Sequence, residues 1–191
     1  MAISQSGNVM ASARALHIQE AFSFYRQFIL EYSQNKAAIY ERYGFTLQGS
    51  VGSKDWEVFA AILLGDRAKP GDGADLFHHE VKSAIVGNSF EYQYHRNHGR
   101  EKLEADKEVD HVFISRDQTY HNIEVWLVER QHLAPIFNAW QPELQANYAE
   151  SRRQRFRKSI SYGFVKKYGR KILTIVNGQL ASPSESDGPA D

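Results

Sequence analysis

Residues 73–83 constrain the fold of this chain more than any other stretch, and they read Gly-Ala-Asp-Leu-Phe-His-His-Glu-Val-Lys-Ser. The stretch places two acids, Asp75 and Glu80, and the amine of Lys82 at the start of an apolar segment typical of a buried strand. Burial of a charge costs several kcal/mol unless the charge is paired or bound to a cation. Glu80 and Lys82 are two residues apart, so they share one face of a strand. The fold must therefore pair these charges or supply a metal ion beside them.

The separation of the two acids adds a second constraint. Asp75 and Glu80 are an odd number of residues apart, and on a straight strand their side chains would lie on opposite faces. We therefore predict a bend or bulge near residues 77–78, with Asp72 as the alternative first acid if no bend is present. Carboxylate oxygens are the ligands that hard divalent cations prefer, and a neighbouring amine can hold or polarise a water molecule.

These residues resemble the core motif of the PD-(D/E)XK nuclease superfamily, in which an Asp ends one strand and an acid-x-Lys lies on the next. The acid-x-Lys here is Glu80-Val81-Lys82, and the flanking residues are similar to type II restriction endonucleases in particular. Two features depart from the family pattern. Ala74 stands where the family has Pro, and the gap between the acids is short.

The resemblance implies a Mg²⁺-dependent, site-specific endonuclease that hydrolyses phosphodiester bonds of double-stranded DNA. Asp75 and Glu80 would hold Mg²⁺ together with the Val81 carbonyl, and Lys82 would orient or deprotonate water. Many restriction endonucleases carry a further acid on the preceding helix, and Glu57 occupies that place in the order; its alternative role is to interact with the helix dipole. The resemblance also implies a homodimer on a palindromic site and a partner methyltransferase that protects host DNA.

A basic run provides a candidate DNA surface. The chain has no net charge, yet residues 151–171 contain nine basic residues and no acid. We expect phosphate contacts from Arg152, Arg153, Arg155 and Lys158. We expect contacts with base edges from Arg157, Lys166 and Lys167. The alternative is a solvated surface, with DNA meeting instead a strand face that presents Tyr92, Tyr94 and Arg96.

Periodicity predicts an α/β fold, with a mixed β-sheet core flanked by helices as in restriction endonucleases. Helices are expected at about 12–43, 53–64 and 133–157, with Ser53 as an N-cap and with interruptions at Asn35 and Pro142. Strands are expected at about 74–84, 89–95, 109–115 and 122–129, followed by a hairpin of 160–165 and 172–176.

The bulk composition limits the class of protein. A chain of 191 residues with 42% apolar content predicts one domain over 1–180, and the Ser-, Pro- and Asp-rich residues 181–191 predict a disordered tail. The lack of cysteine excludes disulfides and fits a reducing compartment. No apolar run is long enough to cross a membrane and no signal-peptide pattern is present, so we expect a cytoplasmic protein without membrane partners.

Three alternative functions fit parts of the sequence. A repair or junction-resolving nuclease of the same superfamily would carry the same motif. A DNA-binding protein with a nuclease-like fold and no activity is a second alternative, although all three motif residues are retained. An HNH nuclease, with a His as general base and one metal, is a third alternative and rests on the residues His78, His79, Asn88, His95 and His98.

Overall fold

A five-stranded mixed β-sheet forms the centre of the structure, a computed structural model that describes residues 15–47, 49–150 and 155–181. Its strand order is β1-β3-β4-β6-β7, and β2 and β5 form a separate antiparallel ribbon. The strands are β1 (His79–Ile85), β2 (Phe90–His95), β3 (Asp110–Arg116), β4 (Ile123–Val128), β5 (Arg155–Ile160), β6 (Arg170–Val176) and β7 (Gln179–Leu180). The helices are α1 (Ile18–Phe24), a π-helical segment (Tyr25–Glu31), α2 (Tyr32–Arg42), α3 (Ser53–Leu64), α4 (Gly99–Lys107), α5 (Arg130–Glu150) and α6 (Tyr162–Tyr168).

The sheet is mixed because β1 runs parallel to β3, while the remaining pairs are antiparallel. In the β1–β3 register, Glu80 lies opposite His111 and Lys82 lies opposite Phe113. Helices pack on the sheet, so the prediction of an α/β fold with a mixed sheet flanked by helices is confirmed.

Alternating side chains divide the core between the two faces of this sheet. Val112 and Ile114 pack with α1, the π-helical segment and α3, whereas Phe113 packs with the β2–β5 ribbon and α5. Lys82 lies on the ribbon side, where its Nζ is 4.9 Å from the centroid of the Tyr92 ring. The charged residues of β1 therefore point between the main sheet and the ribbon.

Helix α3 matches its predicted bounds, but its N-cap is Gly52 and not Ser53. The Gly52 amide donates a 2.9 Å hydrogen bond to Asp55 Oδ2, so the first-turn acid supplies the cap. The predicted division of the first helix at Asn35 is wrong, because Asn35 lies inside α2, which follows the π-helical segment without a gap. Helix α5 continues through Pro142, which therefore does not divide it.

The C-terminal third departs most from the predicted elements. The helix expected to reach 157 ends at Glu150, and β5 begins at Arg155. The expected 160–165 strand is replaced by α6, whose N-cap Ser161 accepts a hydrogen bond from the Phe164 amide. Ile160 pairs with Phe90, a residue far away in sequence, so no local pattern could reveal the pairing. Helix α4 had no counterpart in the prediction.

Two predictions concern the chain as a whole, and the described residues test them only in part. Within the described residues, no helix is both long enough and apolar enough to cross a membrane. The tail predicted to be disordered lies, from residue 182 onward, outside the described residues.

Candidate active site

A bend at Phe77–His78 brings the two motif acids together, as their spacing required. The Leu76 amide closes the bend with a 2.9 Å hydrogen bond to the His79 carbonyl. The Asp75 amide then donates to Glu80 Oε2 at 3.0 Å, and the Val81 amide donates to Asp75 Oδ2 at 3.1 Å. We call this reciprocal pair of bonds the acid clasp. The Asp75 amide thus holds the Glu80 carboxylate, and the amide of Val81, next to Glu80, holds the Asp75 carboxylate.

Asp72, the alternative first acid, is not part of this arrangement. Its carboxylate lies 3.3 Å from His98 Nδ1, and both side chains are well exposed. Asp75 is therefore the acid that the fold places beside Glu80.

Two lysines neutralise Glu80, which has no exposed surface. Lys82 donates to Glu80 Oε1 from the same strand. Lys102 of α4 donates to the same oxygen at 2.8 Å, and also to the Gly73 carbonyl at 2.9 Å. Two ammonium partners and a backbone amide leave neither oxygen of this buried carboxylate unpaired, which satisfies the requirement for pairing.

Lys102 also connects Glu80 to a second buried acid, Asp106, whose Oδ1 is 3.3 Å from Lys102 Nζ. The Tyr94 hydroxyl donates to Asp106 Oδ2 at 2.9 Å. His111 Nε2 lies 2.7 Å from the Asp106 carbonyl oxygen, which can only accept, so Nε2 carries a proton. His111 Nδ1 therefore accepts from the Tyr92 hydroxyl at 2.6 Å. These contacts form a continuous polar network behind the site.

The charges in this network shift the pKa values of its members in opposite directions. Burial, together with the charge of Glu80, raises the pKa of Asp75 to about 6 and that of Asp106 to about 7. Burial acts in the same sense on Glu80, but Lys82 and Lys102 outweigh it and lower the pKa of Glu80 to about 2. The site thus keeps Glu80 ionised, while the acids on either side of it hold protons more tightly.

Glu57 lies near this site on α3. Its side chain is mostly buried and pairs with Lys54, and its charge contributes to the raised pKa of Asp75. Asp55 is the acid in the first turn of α3, so the helix-dipole alternative suits Asp55 better than Glu57. The role of Glu57 at the motif stays a prediction.

The donor set suits a hard divalent cation. Asp75 and Glu80 supply carboxylate oxygens, and the repulsion between the acids that raises the pKa of Asp75 is what a cation would relieve. N–H and C=O of a strand residue point to the same side, so the Val81 carbonyl lies on the same edge of β1 as the Val81 amide that binds Asp75. Within the described part of the chain, no group of three or more His, Cys, Asp or Glu side chains is placed to hold a metal ion.

The basic candidates occupy two elements. Arg155 and Arg157 are exposed on β5, where Arg155 Nη1 binds Gln93 at 3.3 Å and Arg157 Nη1 lies 3.7 Å from Glu91. Lys158 forms a 2.6 Å ion pair with Glu143 of α5. Neighbouring acids thus offset part of the positive charge that the sequence suggested.

Of the remaining members of the basic run, Arg170 and Lys171 begin β6, and the others lie on α6 or outside the described residues. Lys166 and Lys167 are exposed on α6, each over a tyrosine ring of the same helix. Arg152 and Arg153 lie outside the described residues. The described basic side chains therefore lie on more than one element and do not follow one face of a single strand or helix.

Two other candidate surfaces do not match their predictions. Tyr92 and Tyr94 are fully buried, so the face expected to meet DNA beside Arg96 belongs to the core. The histidines of the HNH alternative have separate partners: His79 binds Asp66 at 2.7 Å, and His98 binds Asp72.

Lys102 and Asp106 are site residues that were not predicted from the sequence. Helix α4 has few apolar residues, and Leu103 is the one large apolar side chain that it buries. The signal that could have revealed the pair was the four-residue spacing of a Lys and an Asp, which places both on one face of a helix. No protein-family model matches this chain, and no curated protein matches it in sequence, so the likeness to the PD-(D/E)XK superfamily rests on the motif residues alone.

Proposed function

We propose that this chain is a Mg²⁺-dependent endodeoxyribonuclease that cuts double-stranded DNA at specific sites, as type II restriction endonucleases do. The acid clasp carries the proposal, because it sets Asp75 beside Glu80 with Lys82 on the same carboxylate. A buried pair of acids with an amine is costly to fold and is therefore expected where chemistry requires it.

In this proposal, Asp75, Glu80 and the Val81 carbonyl would hold Mg²⁺, and Glu57, whose charge acts on Asp75, would belong to the metal site or to its hydrogen-bonding shell. Bound Mg²⁺ stabilises the charge that develops on the phosphate oxygens. Lys82 is paired with Glu80 in the metal-free protein. A cation on Glu80 would compete with Lys82 for that carboxylate, and Lys82 would then be placed to donate a hydrogen bond to the water that attacks the phosphorus as the bond to the leaving oxygen breaks.

The roles of the partners follow from the same proposal. Arg155, Arg157 and Lys158, with Arg152 and Arg153, would meet phosphates or bases of the duplex. Lys166 and Lys167 would extend that contact from α6. A homodimer would cut both strands of a palindromic site, and a methyltransferase would protect the host DNA.

The test is digestion of supercoiled plasmid by the purified chain with Mg²⁺, using Lys82→Met and Lys107→Met as a matched pair. Lys107 has a side chain as buried as that of Lys82 (12% against 17% exposed) and pairs with Glu104 outside the site. We expect discrete fragments from the wild type and from Lys107→Met. Loss of a positioned amine lowers the rate by roughly 10²–10⁴-fold, so Lys82→Met should be nearly inactive.

Other outcomes would indicate a different function or a different role for Lys82. Cleavage of branched DNA but not of plain duplex would indicate a junction-resolving enzyme. DNA binding without cleavage under any divalent metal would indicate a DNA-binding protein with no activity. Equal cleavage by Lys82→Met and Lys107→Met would remove Lys82 from the mechanism.

A further inference from the structure

Helix α2 makes little contact with the rest of the fold. Within its eleven residues, all of which the structure describes, Ser33 is the one buried residue. From Gln34 to Thr46 every side chain except that of Lys36 is exposed. A helix of this length is marginal in water unless one face packs against another element. The fold of one copy therefore leaves α2 without the packing that a helix of its length needs.

One face of this helix exposes several large apolar side chains, with Lys36 Nζ 5.7 Å from the centroid of the Tyr32 ring. We call the set Phe28, Tyr32, Ile39 and Tyr43 the aromatic stripe; 50%, 48%, 56% and 71% of these residues' surfaces are exposed. Tyr32, Ile39 and Tyr43 are seven and four residues apart, so they follow one face of α2. Tyr40 and Phe45 flank the stripe and are also exposed.

The size of this patch is at the upper end of what a monomer exposes. With about 150–250 Å² for each large apolar side chain, the stripe and its two neighbours expose on the order of 600 Å². The largest apolar patch on a typical monomer is about 300–600 Å² and is often functional, and a standard interface buries about 800 Å² per partner. The patch alone would supply most of one side of such an interface.

The charges around the stripe are self-complementary. Glu31 precedes α2 and Arg42 ends it, and both side chains are exposed. At 3.6 residues per turn, both lie on the same flank of the stripe. In an antiparallel pair, a two-fold axis perpendicular to both helices and lying in the interface places this flank of one copy beside the same flank of the other. The helix directions are opposite, so Glu31 of one copy lies beside Arg42 of the other. Antiparallel helix dipoles favour the same arrangement.

Other occupants fit the surface less well. Residues 31–46 contain two acids and two basic residues, which suits neither DNA phosphates nor the surface of an anionic membrane. Residues 182–191 contain no aromatic residue, Leu, Ile, Val or Met, so they cannot cover the stripe. We propose that α2 is a self-association surface, on which a second copy of this chain lays its own α2 antiparallel and stripe against stripe. The inference rests on α2 and its flanks and not on the proposed nuclease activity.

The first test compares the oligomeric state of the wild type with those of Ile39→Glu and Ala37→Glu by sedimentation equilibrium. Both residues are exposed on α2, but Ala37 lies away from the stripe and from the flank of Glu31 and Arg42, so Ala37→Glu adds the same charge to the same helix outside the interface. We expect a dimeric wild type, a dimeric Ala37→Glu and a dimer of Ile39→Glu weakened at least roughly 100-fold, because a charge would be buried at the interface.

The second test examines the antiparallel pairing through charge exchange. Glu31→Arg and Arg42→Glu should each weaken the dimer, because each sets like charges opposite one another. The double variant Glu31→Arg/Arg42→Glu should restore it. A monomeric wild type at micromolar concentrations, or a dimer indifferent to Ile39→Glu, would overturn the proposal. Failure of the double variant to restore a dimer that both single variants weaken would overturn the antiparallel arrangement.

Discussion

Asp106 makes the stability of this protein depend on pH in a way that one substitution can isolate. The carboxyl group is fully buried, and its pKa is about 7 in the folded protein against an ordinary value of 3.8. Between these values the folded protein holds a proton that the unfolded chain releases. The free energy of unfolding therefore falls as the pH rises through this window, by about 1.4 kcal/mol per pH unit.

Asp106→Asn removes this titration while keeping the shape of the side chain. From pH 5 to pH 8 the wild type should lose about 3 kcal/mol of unfolding free energy through Asp106, because most of the window between the two pKa values lies above pH 5. The variant has no such titration, so the unfolding free energy of the variant minus that of the wild type should rise by about 3 kcal/mol from pH 5 to pH 8. The measurement is urea unfolding of both proteins at several pH values in this range.

Asp117→Asn is the matched control. Burial acts to raise the pKa of Asp117, but hydrogen bonds from Asn122 and Thr119 outweigh it and lower the pKa below 3.8. Asp117 is then ionised in both states throughout pH 5–8, so Asp117→Asn should cost the same free energy at every pH in this range. An Asp106→Asn difference as flat as that of Asp117→Asn would refute the assignment of a raised pKa to Asp106.

Three further outcomes test the site and its surroundings. Asp75→Asn should abolish cleavage and Asp72→Asn should retain it, as measured on plasmid DNA; the reverse result would reassign the first acid. Lys102→Met should tighten Mn²⁺ binding at least several-fold in calorimetry, because it removes an ammonium 2.8 Å from Glu80 Oε1 that competes with the metal; weaker binding would show that Lys102 supports the ligands instead. Arg155→Ala should lower the salt slope of DNA affinity by about one, measured with Ca²⁺ to prevent cleavage, whereas Arg157→Ala should cost roughly 1–3 kcal/mol on the cognate site and little on random DNA; an unchanged slope for Arg155→Ala would mean that Arg155 does not contact a phosphate.

The parts of the fold that were predicted correctly depend on residues close together in the sequence. Helix α3 has strong apolar periodicity, and its bounds were predicted to the residue. The bend at Phe77–His78 followed from the odd spacing of two acids that had to meet. Both signals lie within a dozen residues of chain.

The parts that the sequence did not predict depend on distant partners. Strand β5 forms because Ile160 meets Phe90 across the ribbon, and that contact overrides the helical pattern that led into it. Lys102 reaches the site only because α4 packs behind the ribbon, and its ion pair with Glu80 joins residues 22 positions apart. Such contacts are set by tertiary packing, which periodicity does not report.

The acid clasp has a consequence for how sequences related to this one can diverge. Main-chain amides hold both acids, so the clasp requires a fixed number of residues between Asp75 and Glu80 but not particular ones. Phe77 and His78 are exposed at the tip of the bend and are free to vary. A single insertion or deletion there would separate the two carboxylates, however conservative the inserted residue. Across related chains we therefore expect the residues at the bend to vary while the number of residues between the two acids stays constant. The length of this segment, rather than its sequence, is then the conserved feature.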